Sequence, residues 1–269
     1  MEQLLLVDKL EKRYERAPVF GAKKEVTALQ GVSFSIDRGA TLALVGKSGA
    51  GKSTLAFCIA GLDRPTSGRI VFNGNDIAGL DEKRLRELRP QIQVVFQDPA
   101  RSLNPRFSAI EIVSEPLLIQ GRLNRREREG KARALLSQVG IPQEKALQRA
   151  EEFSGGQRQR LAIARALALE PKLLILDEAL SALDCSVQAQ IANLLIELQA
   201  SLGLTYLFIT HDLAMAEHLG DKIAVMERGQ IVELGFVERI VRAPEHEVTR
   251  SLLAATPRLR AAADGPKAV

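Results

Sequence analysis

Short apolar runs alternate along this chain with longer segments whose apolar positions recur at helical spacing. Five of the short runs predict β-strands, and three of these are almost unbroken, as expected for strands buried on both faces. They lie at residues 40–46, 69–74, 92–97, 172–178 and 205–210. A sixth segment, residues 222–235, predicts a β-hairpin that turns at Arg228 and Gly229. Strands that alternate with helices favour an α/β fold.

The pattern becomes mainly helical between Asp98 and Leu169. We expect a helical insertion within the α/β unit there. Its most basic stretch, residues 122–136, has glutamates among the arginines, which is typical of a solvated helix face. Residues 258–269 are small and polar and predict a disordered tail.

Composition narrows the class of protein only slightly. The chain has 269 residues and a net charge of +4, a basic excess too mild to select a class of partner. Cys58 and Cys185 lack the spacing of a metal site, which favours reduced, cytoplasmic thiols. Charges among the first leucines argue against a signal peptide, and no run of 18 uncharged apolar residues predicts a membrane span.

Residues 46–54, GKSGAGKST, fit the phosphate-loop pattern G-x-x-x-x-G-K-[ST] between a predicted strand and a predicted helix. Glycines let backbone N–H groups converge on phosphate oxygens, and the helix N-terminus favours negative charge. Lys52 would reach the β- and γ-phosphates, and Ser53 would ligate Mg²⁺. The alternative is an ordinary glycine-rich turn. The candidate nucleotide-binding residues are Gly46, Lys47, Ser48, Gly49, Ala50, Gly51, Lys52, Ser53 and Thr54.

Residues 173–178, LLILDE, supply carboxylates at the end of a buried strand. The carboxyl end of such a strand opens on the ligand crevice of an α/β sheet. Asp177 would hold Mg²⁺, and Glu178 would polarise a water for attack on the γ-phosphate. The alternative is two acidic residues that merely end a core strand. With the phosphate loop, this segment predicts that the chain binds and hydrolyses a nucleoside triphosphate.

A second glycine motif, FSGGQRQR at residues 153–160, resembles the signature motif of ATP-binding cassette (ABC) ATPases. The other family motifs appear in order, and the resemblance covers residues 3–255. It implies an α/β, ABC-type nucleotide-binding domain with a RecA-like P-loop core, an antiparallel β subdomain and a helical subdomain. The matching positions are Tyr14 for the aromatic that stacks on adenine, Gln97 for the Q-loop, residues 181–184 for the D-loop and His211 for the switch histidine.

The resemblance also implies domain bounds and site residues. The core would comprise residues 1–98 and 166–240, the helical signature subdomain residues 99–165, and a C-terminal helical segment with a flexible tail residues 241–269. ATP and Mg²⁺ would be the cofactors. Glu178, His211 and Gln97 would be catalytic, the metal ligands would be Ser53, Gln97 and Asp177, and Asp184 would join the nucleotide site.

In this family two cassettes dimerise head to tail, and each signature motif caps the ATP held by its partner. The resemblance therefore implies that Ser154, Gly155, Gly156 and Gln157 contact a partner's nucleotide. A serine hydroxyl, bare glycine backbone and a helix N-terminus would together form a second anion site. On this interpretation the two glycines are bare so that the γ-phosphate can approach.

Residues 97–106, QDPARSLNPR, resemble the segment after the Q-loop in ATPases of bacterial dipeptide, oligopeptide and nickel importers, in particular the second ATPase of such systems. The implied partners are two permeases, a second, non-identical ATPase and a periplasmic or lipid-anchored binding protein, with no nucleic acid. The implied location is peripheral, on the cytoplasmic face of the inner membrane.

Two departures from the family pattern favour nickel slightly over peptides as the substrate. Ala179 replaces the usual proline after the catalytic glutamate, and HEVT at residues 246–249 replaces the usual His-Pro-Tyr-Thr. The alternatives are an exporter ATPase and the ATPase of an importer for another small solute.

Overall fold

The computed structural model describes residues 2–16 and 24–255. The tail predicted to be disordered lies outside these residues. Within them the chain forms ten strands: β1 (Gln3–Arg16), β2 (Lys24–Asp37), β3 (Thr41–Val45), β4 (Ser67–Phe72), β5 (Asn75–Asp76), β6 (Ile92–Val95), β7 (Leu173–Asp177), β8 (Thr205–Thr210), β9 (Lys222–Glu227) and β10 (Gln230–Phe236).

The same residues form ten α-helices, which lie mainly after the strands of the central sheet and in the predicted insertion. They are α1 (Lys52–Ile59), α2 (Glu82–Leu88), α3 (Pro99–Ser102), α4 (Ala109–Gln120), α5 (Arg125–Gln138), α6 (Gly155–Leu167), α7 (Cys185–Leu202), α8 (Leu213–Leu219), α9 (Val237–Arg242) and α10 (Glu247–Ala255).

The central sheet has six strands in the order β10-β9-β3-β8-β7-β6. The five strands from β9 to β6 are parallel, and β10 forms the predicted antiparallel hairpin with β9. Every residue of β3, β7 and β8 is buried, so the α/β class and the two-faced burial of these strands are confirmed. Because neighbouring strands are parallel, the segments that follow β3, β7 and β8 meet at one edge of the sheet.

A second sheet is antiparallel, in the order β2-β1-β4-β5, and matches the antiparallel subdomain that the resemblance implied. The run predicted at residues 69–74 is β4 of this sheet. The apolar pattern missed β1 and β2. The register of β1 against β2 shifts between Val7 and Leu10, and Lys9 has a φ of +48°. Such a bulge breaks the strict alternation by which a half-buried strand is recognised.

One apolar cluster joins this second sheet to the phosphate-loop helix. Leu10 of β1 and Leu29 of β2 pack in the same buried cluster as Leu44 of β3 and Leu55 of α1. Helix α1 is therefore held between the two sheets by burial of apolar surface, which is the main stabilising term in folding. This packing sets the position of the loop that precedes α1.

Helices α3 to α6 confirm the predicted helical segment. Helix α4 begins with a capping box in which Ser108 and Glu111 bond each other's backbone N–H groups, and α5 begins in the same way. Helix α6 continues to Leu167, across the subdomain boundary expected at residue 165. The basic run lies on α5, where Arg125 forms an exposed pair with Glu129, as a solvated face does. Among the described residues, no helix is both long and apolar enough to cross a membrane.

Candidate nucleotide-binding site

The phosphate loop connects β3 to α1 and is in close contact with neighbouring backbone. A Cβ atom at Gly46 would lie 2.3 Å from the carbonyl oxygen of Met226 in β9. Gly51 has a φ of +104°, and a Cβ atom there would lie 2.6 Å from the carbonyl oxygen of Ala28 in β2. Both positions therefore require glycine. Lys47, Ser48 and Gly49, between them, are exposed.

Lys52 is the first residue of α1, and its side chain is only 5% exposed. Its ammonium group donates hydrogen bonds to the carbonyl oxygens of Gly46 at 2.7 Å and Lys47 at 3.2 Å, and lies 3.7 Å from Oε1 of Glu178. A buried charge needs such partners. The loop thus holds a cation at its centre, next to the N-terminus of α1, and this combination suits a phosphate group.

Ser53 and Asp177 place two oxygen atoms together beside the loop. The Ser53 hydroxyl donates to Oδ1 of Asp177 at 3.2 Å. Burial raises the pKa of Asp177, and the adjacent Glu178 charge acts in the same direction, while Ser53 and Lys52 act against it. Hydroxyl and carboxylate oxygens are ligands that Mg²⁺ accepts, together with phosphate oxygens and water. The pair therefore fits the magnesium ion that the sequence analysis expects.

Glu178 follows β7 in a left-handed backbone conformation, with a φ of +49°. Its N–H donates to the carbonyl oxygen of Ile209 in β8 at 3.0 Å, and the Ser181 hydroxyl donates to its carbonyl oxygen at 2.9 Å. A residue other than glycine rarely adopts this conformation, and such strain is concentrated at functional sites. The strained backbone directs the carboxylate toward Lys52 and His211.

His211 follows the end of β8, and its Nδ1 atom lies 3.6 Å from Oε2 of Glu178. The imidazole is 59% exposed, whereas the Glu178 side chain is 23% exposed. The structure therefore brings Lys52, Ser53, Asp177, Glu178 and His211 together at one edge of the sheet, as the sequence motifs predict. The carboxylate of Glu178 lies between a buried ammonium group and a solvent-facing imidazole.

Gln97 and Tyr14 lie at the periphery of this cluster. Gln97 is exposed and lies two residues beyond the end of β6. Among the described residues, no hydrogen bond joins it to Ser53 or Asp177. The Tyr14 hydroxyl donates to Oδ2 of Asp63 at 2.6 Å, and the Thr54 side chain lies near it. Sequence analysis missed Asp63, because no local pattern relates it to a residue 49 positions away.

The signature motif forms the start of α6. Ser154 is the N-cap residue: its hydroxyl accepts from the Gln157 N–H at 3.3 Å, and the Gln157 side chain accepts from the Ser154 N–H at 3.2 Å. The D-loop residue Asp184 caps α7 by accepting from the Val187 N–H at 2.9 Å. Among the described residues, no hydrogen bond or ion pair joins positions 154–157 to the phosphate loop. They form a second candidate surface.

The two glycines of the motif differ in their surroundings. A Cβ atom at Gly155 would lie 3.6 Å from Leu183, an ordinary contact, but a Cβ atom at Gly156 would lie 2.4 Å from Cγ1 of Val187. Gly156 is therefore bare because α6 packs closely on α7 of the same chain. This packing gives Gly156 a reason to be glycine within the chain itself, whereas Gly155 has space for a side chain. That both glycines face a partner's phosphate stays a prediction.

Comparisons with known proteins show which family the chain resembles. A family model described as "ABC transporter" matches residues 29–181. The "Probable peptide ABC transporter ATP-binding protein y4tS" of Sinorhizobium fredii is 50% identical over 95% of this chain and 73% of its own length. The "Dipeptide transport ATP-binding protein DppF" of Escherichia coli is 45% identical over 96% of this chain and 78% of its own length.

Solved structures show the same fold. The dimeric post-hydrolysis structure of the ATP-binding cassette MJ0796, bound to ADP and Pi, has a TM-score of 0.76 at 29% identity and covers 87% of this chain and 99% of its own. CbiO1 from Clostridium perfringens has a TM-score of 0.77 at 32% identity and covers 89% of this chain and 91% of its own. With the phosphate loop and carboxylate pair in place, the chain belongs to the ABC transporter family, as one of its ATP-hydrolysing, ATP-binding subunits.

Proposed function

We propose that this chain energises a bacterial importer of di- or oligopeptides. The observation that carries the ATPase part is the cluster of Lys52, Glu178 and His211 at the carboxyl edge of the central sheet. The peptide part is supported by relatives whose names refer to peptide, dipeptide and oligopeptide transport. This proposal replaces the slight preference for nickel, since the similarity of the whole chain outweighs two local departures.

In this proposal the residues of the cluster have different roles during hydrolysis. Lys52 and the N–H groups of the phosphate loop hold the β- and γ-phosphates and offset their negative charge. Glu178 accepts the proton of the attacking water, because its carboxylate lies between Lys52 and His211 and is 23% exposed to solvent. His211, 3.6 Å away, holds the water and the γ-phosphate in place.

Ser53 and Asp177 hold Mg²⁺ in this proposal, with Gln97 as a third ligand. When bound with ATP, the ion supplies positive charge to the phosphate oxygens. Gln97 is exposed and follows the edge strand β6, at the same edge of the sheet as Asp177. Its assignment as a ligand comes from the family resemblance.

A head-to-tail dimer would complete the site with the partner's signature surface. Ser154 is exposed, α6 begins there, and the N-terminus of a 13-residue helix attracts anions. Gly155→Asp would bring a carboxylate to the γ-phosphate, and like charges about 4 Å apart cost about 4 kcal/mol at an effective dielectric of 20. We expect the Gly155→Asp variant to bind ATP to its own loop but to lose ATP-driven dimerisation and turnover. Gly155→Ala should retain ATP-driven dimerisation and turnover.

The permeases would dock in a groove between the core and the helical region. This groove has a volume of about 920 Å³ and is lined by β6, α4 and α6 and by the segment after α1. Leu62, Phe96 and Ile119 are exposed in it, and Ile119 is 78% exposed. Contiguous exposed apolar residues are typical of protein interfaces. The partners in this proposal are two permeases, a second ATPase and, through the permeases, a substrate-binding protein.

The segment after Gln97 would transmit movement between this groove and the nucleotide. Arg101 is 89% exposed, and Asn104 accepts from the backbone N–H of Arg106 in a polar surface turn. Substitution of Arg101 by alanine is expected to abolish transport in the assembled importer while the ATPase rate of the isolated subunit stays the same. Full transport by this variant would place the docking surface elsewhere.

Uptake in cells tests the whole proposal. A strain without this chain should lose uptake of labelled di- or oligopeptides, recover it with the wild-type chain and not recover it with Glu178→Gln. The peripheral location on the cytoplasmic face is tested by whether the subunit leaves the membrane fraction when the permeases are deleted. Loss of nickel uptake with intact peptide uptake would overturn the peptide assignment and leave the ATPase assignment in place.

A further inference from the structure

The Tyr14 ring is held by contacts on its edge and on one face. Its hydroxyl donates to Oδ2 of Asp63 at 2.6 Å, and the Thr54 side chain lies near the same hydroxyl. The other carboxylate oxygen of Asp63 accepts from the Lys12 ammonium group, also at 2.6 Å. That ammonium group lies 4.7 Å from the centroid of the Tyr14 ring, within the range of a cation–π interaction. Lys12, Tyr14 and Asp63 thus form one connected cluster, with Thr54 beside it.

The cluster joins β1 to the end of the phosphate-loop helix, and Thr54 at the start of that helix lies beside it. Lys12 and Tyr14 are two positions apart on β1, so their side chains share one face of the strand. Thr54 is the third residue of α1 and the last of the phosphate loop. Asp63 lies just beyond α1, where its own N–H bonds the carbonyl oxygen of Phe57. The tyrosine ring is therefore positioned relative to the helix that carries the phosphate loop.

Charge strengthens this link. Lys12 is 12% exposed and Asp63 27% exposed, so their ion pair is largely shielded from water. Burial by itself raises the pKa of Asp63, but the hydrogen bonds from Lys12 and Tyr14 outweigh it and hold the pKa below its usual value. Burial and the Asp63 carboxylate raise the pKa of Tyr14 to about 12. The phenol thus remains a donor to a carboxylate, a stronger hydrogen bond than a neutral pair makes.

From these contacts we infer that Asp63 is a positioning residue for nucleotide binding: it holds the Tyr14 ring at a set place beside the phosphate loop, with one face covered by Lys12 and the other left for the base. This inference rests on a role that the family resemblance implies for Tyr14 and that we propose here as part of the ATPase function, namely the platform on which adenine stacks. The ring is 38% exposed, so it retains surface for a ligand. A ring that is held before binding loses less conformational freedom when the base stacks on it.

A double-mutant cycle with two ligands tests the inference. Asp63→Ala removes the acceptor and Tyr14→Phe removes the donor, while the ring remains in both. We expect each to weaken ATP binding by about three- to tenfold, the factor for immobilising one side chain on binding. The double variant should be no weaker than the weaker single variant. The KM for ATP should rise, with kcat at saturating ATP within about twofold of wild type.

Inorganic triphosphate with Mg²⁺ is the second ligand, because it has no base. Its affinity should not change in any of these variants, whereas general damage to the phosphate loop would weaken both ligands. Asp8→Ala is the matched control: Asp8 lies on the same strand and forms an exposed ion pair with Arg69 at 2.7 Å. This control should bind both ligands like the wild type.

The outcomes separate this inference from the proposal beneath it. If Tyr14→Ala leaves ATP affinity unchanged, Tyr14 is not the platform and the proposed role of Tyr14 is wrong. If Tyr14→Ala weakens ATP binding but Asp63→Ala and Tyr14→Phe do not, Tyr14 keeps its role and the inference about Asp63 is overturned. Should Asp63→Ala fail to fold, Tyr14→Phe, which lacks a single oxygen atom, decides the question alone.

Discussion

The phosphate-binding edge of the central sheet and the surface where α6 and α7 begin differ in how their residues are held. At the sheet edge, the Lys52 ammonium group is buried, the pKa of Asp177 is raised by burial, and Glu178 has a left-handed backbone. At the second surface, Ser154 and Asp184 are ordinary N-cap residues whose side chains bond the first turns of their own helices. The first region therefore contains a buried charge and a strained backbone, whereas the second consists of ordinary helix caps.

This difference separates residues that the fold holds in a charged or strained arrangement from residues that form ordinary helix caps. Buried charge and backbone strain persist only where the surrounding structure enforces them, and the sheet edge does so through the β3, β7 and β8 register. At the signature surface, Ser154 and Gln157 cap the start of α6 by bonding each other's backbone N–H groups, and Ser154 is exposed. We expect changes at the edge to alter catalysis and binding strongly, and changes at the α6–α7 contact to alter mainly stability.

The largest effect is expected at Glu178. Glu178→Gln removes the proton acceptor and should lower kcat by about a thousandfold, within the range for loss of a general base. ATP affinity should persist, because Lys52 and the loop are intact. Steady-state phosphate release and equilibrium ATP binding measure the two quantities. Glu129→Gln on the exposed face of α5 is the control, and near-normal turnover by Glu178→Gln would remove Glu178 from this role.

Lys52→Ala should act on binding. It deletes a buried ammonium group, and loss of one partner of a buried charged pair costs about 2–5 kcal/mol. We therefore expect ATP affinity to fall by a factor of at least about thirty, as measured by calorimetry. Lys83→Ala, at an exposed position on α2, should bind ATP like the wild type. Equal affinity in the Lys52 variant would show that the loop N–H groups alone hold the phosphates.

The site at the sheet edge could be predicted from sequence because its residues lie in short contiguous motifs at the ends of recognisable strands. Parallel strand order then brings Ser53, Asp177 and His211 to one edge without further information. Contacts between distant segments could not be predicted. Asp63 is 49 residues from Tyr14, and Gly156 contacts Val187 of the following helix, so neither contact leaves a local pattern.

Prediction of the strands is limited in the same way, because only strands with a clear local pattern could be recognised. Buried parallel strands appear as unbroken apolar runs, and β3, β7 and β8 were predicted for this reason. Strands β1 and β2 were missed because bulges interrupt their alternation, and only the family resemblance implied their sheet. Sequence patterns thus predict strands that are buried on both faces better than strands whose alternation is interrupted by bulges.

The two signature glycines offer an internal comparison. Gly156→Ala places a methyl group against Val187 and should lower the free energy of unfolding by about 1–3 kcal/mol, as overpacking does. Gly155→Ala has room and should change stability little or raise it by up to about 1 kcal/mol, because alanine favours helix. Urea unfolding measures both. Val187→Ala in the Gly156→Ala background should recover part of the loss, and independent, additive effects would contradict the contact.

The smallest effect on the free energy of unfolding is expected at the two aspartates that distinguish the regions. The folded-state pKa of Asp177 is raised, chiefly by burial, so its ionised form destabilises the nucleotide-free protein at neutral pH. Asp177→Asn should therefore raise stability at pH 7 by on the order of 1 kcal/mol while abolishing turnover, as at other functional sites built at the expense of stability. The gain should vanish at pH values below the unfolded-state pKa, where Asp177 is protonated in both states.

Asp184→Asn should differ from wild type by less than about 0.5 kcal/mol at either pH, since asparagine is an equally good N-cap. Urea unfolding without nucleotide or Mg²⁺, at pH 7 and at the acid limit of the folded state, measures these differences. A loss of stability in Asp177→Asn at pH 7 would mean that the sheet edge is held together by this carboxylate rather than strained by it.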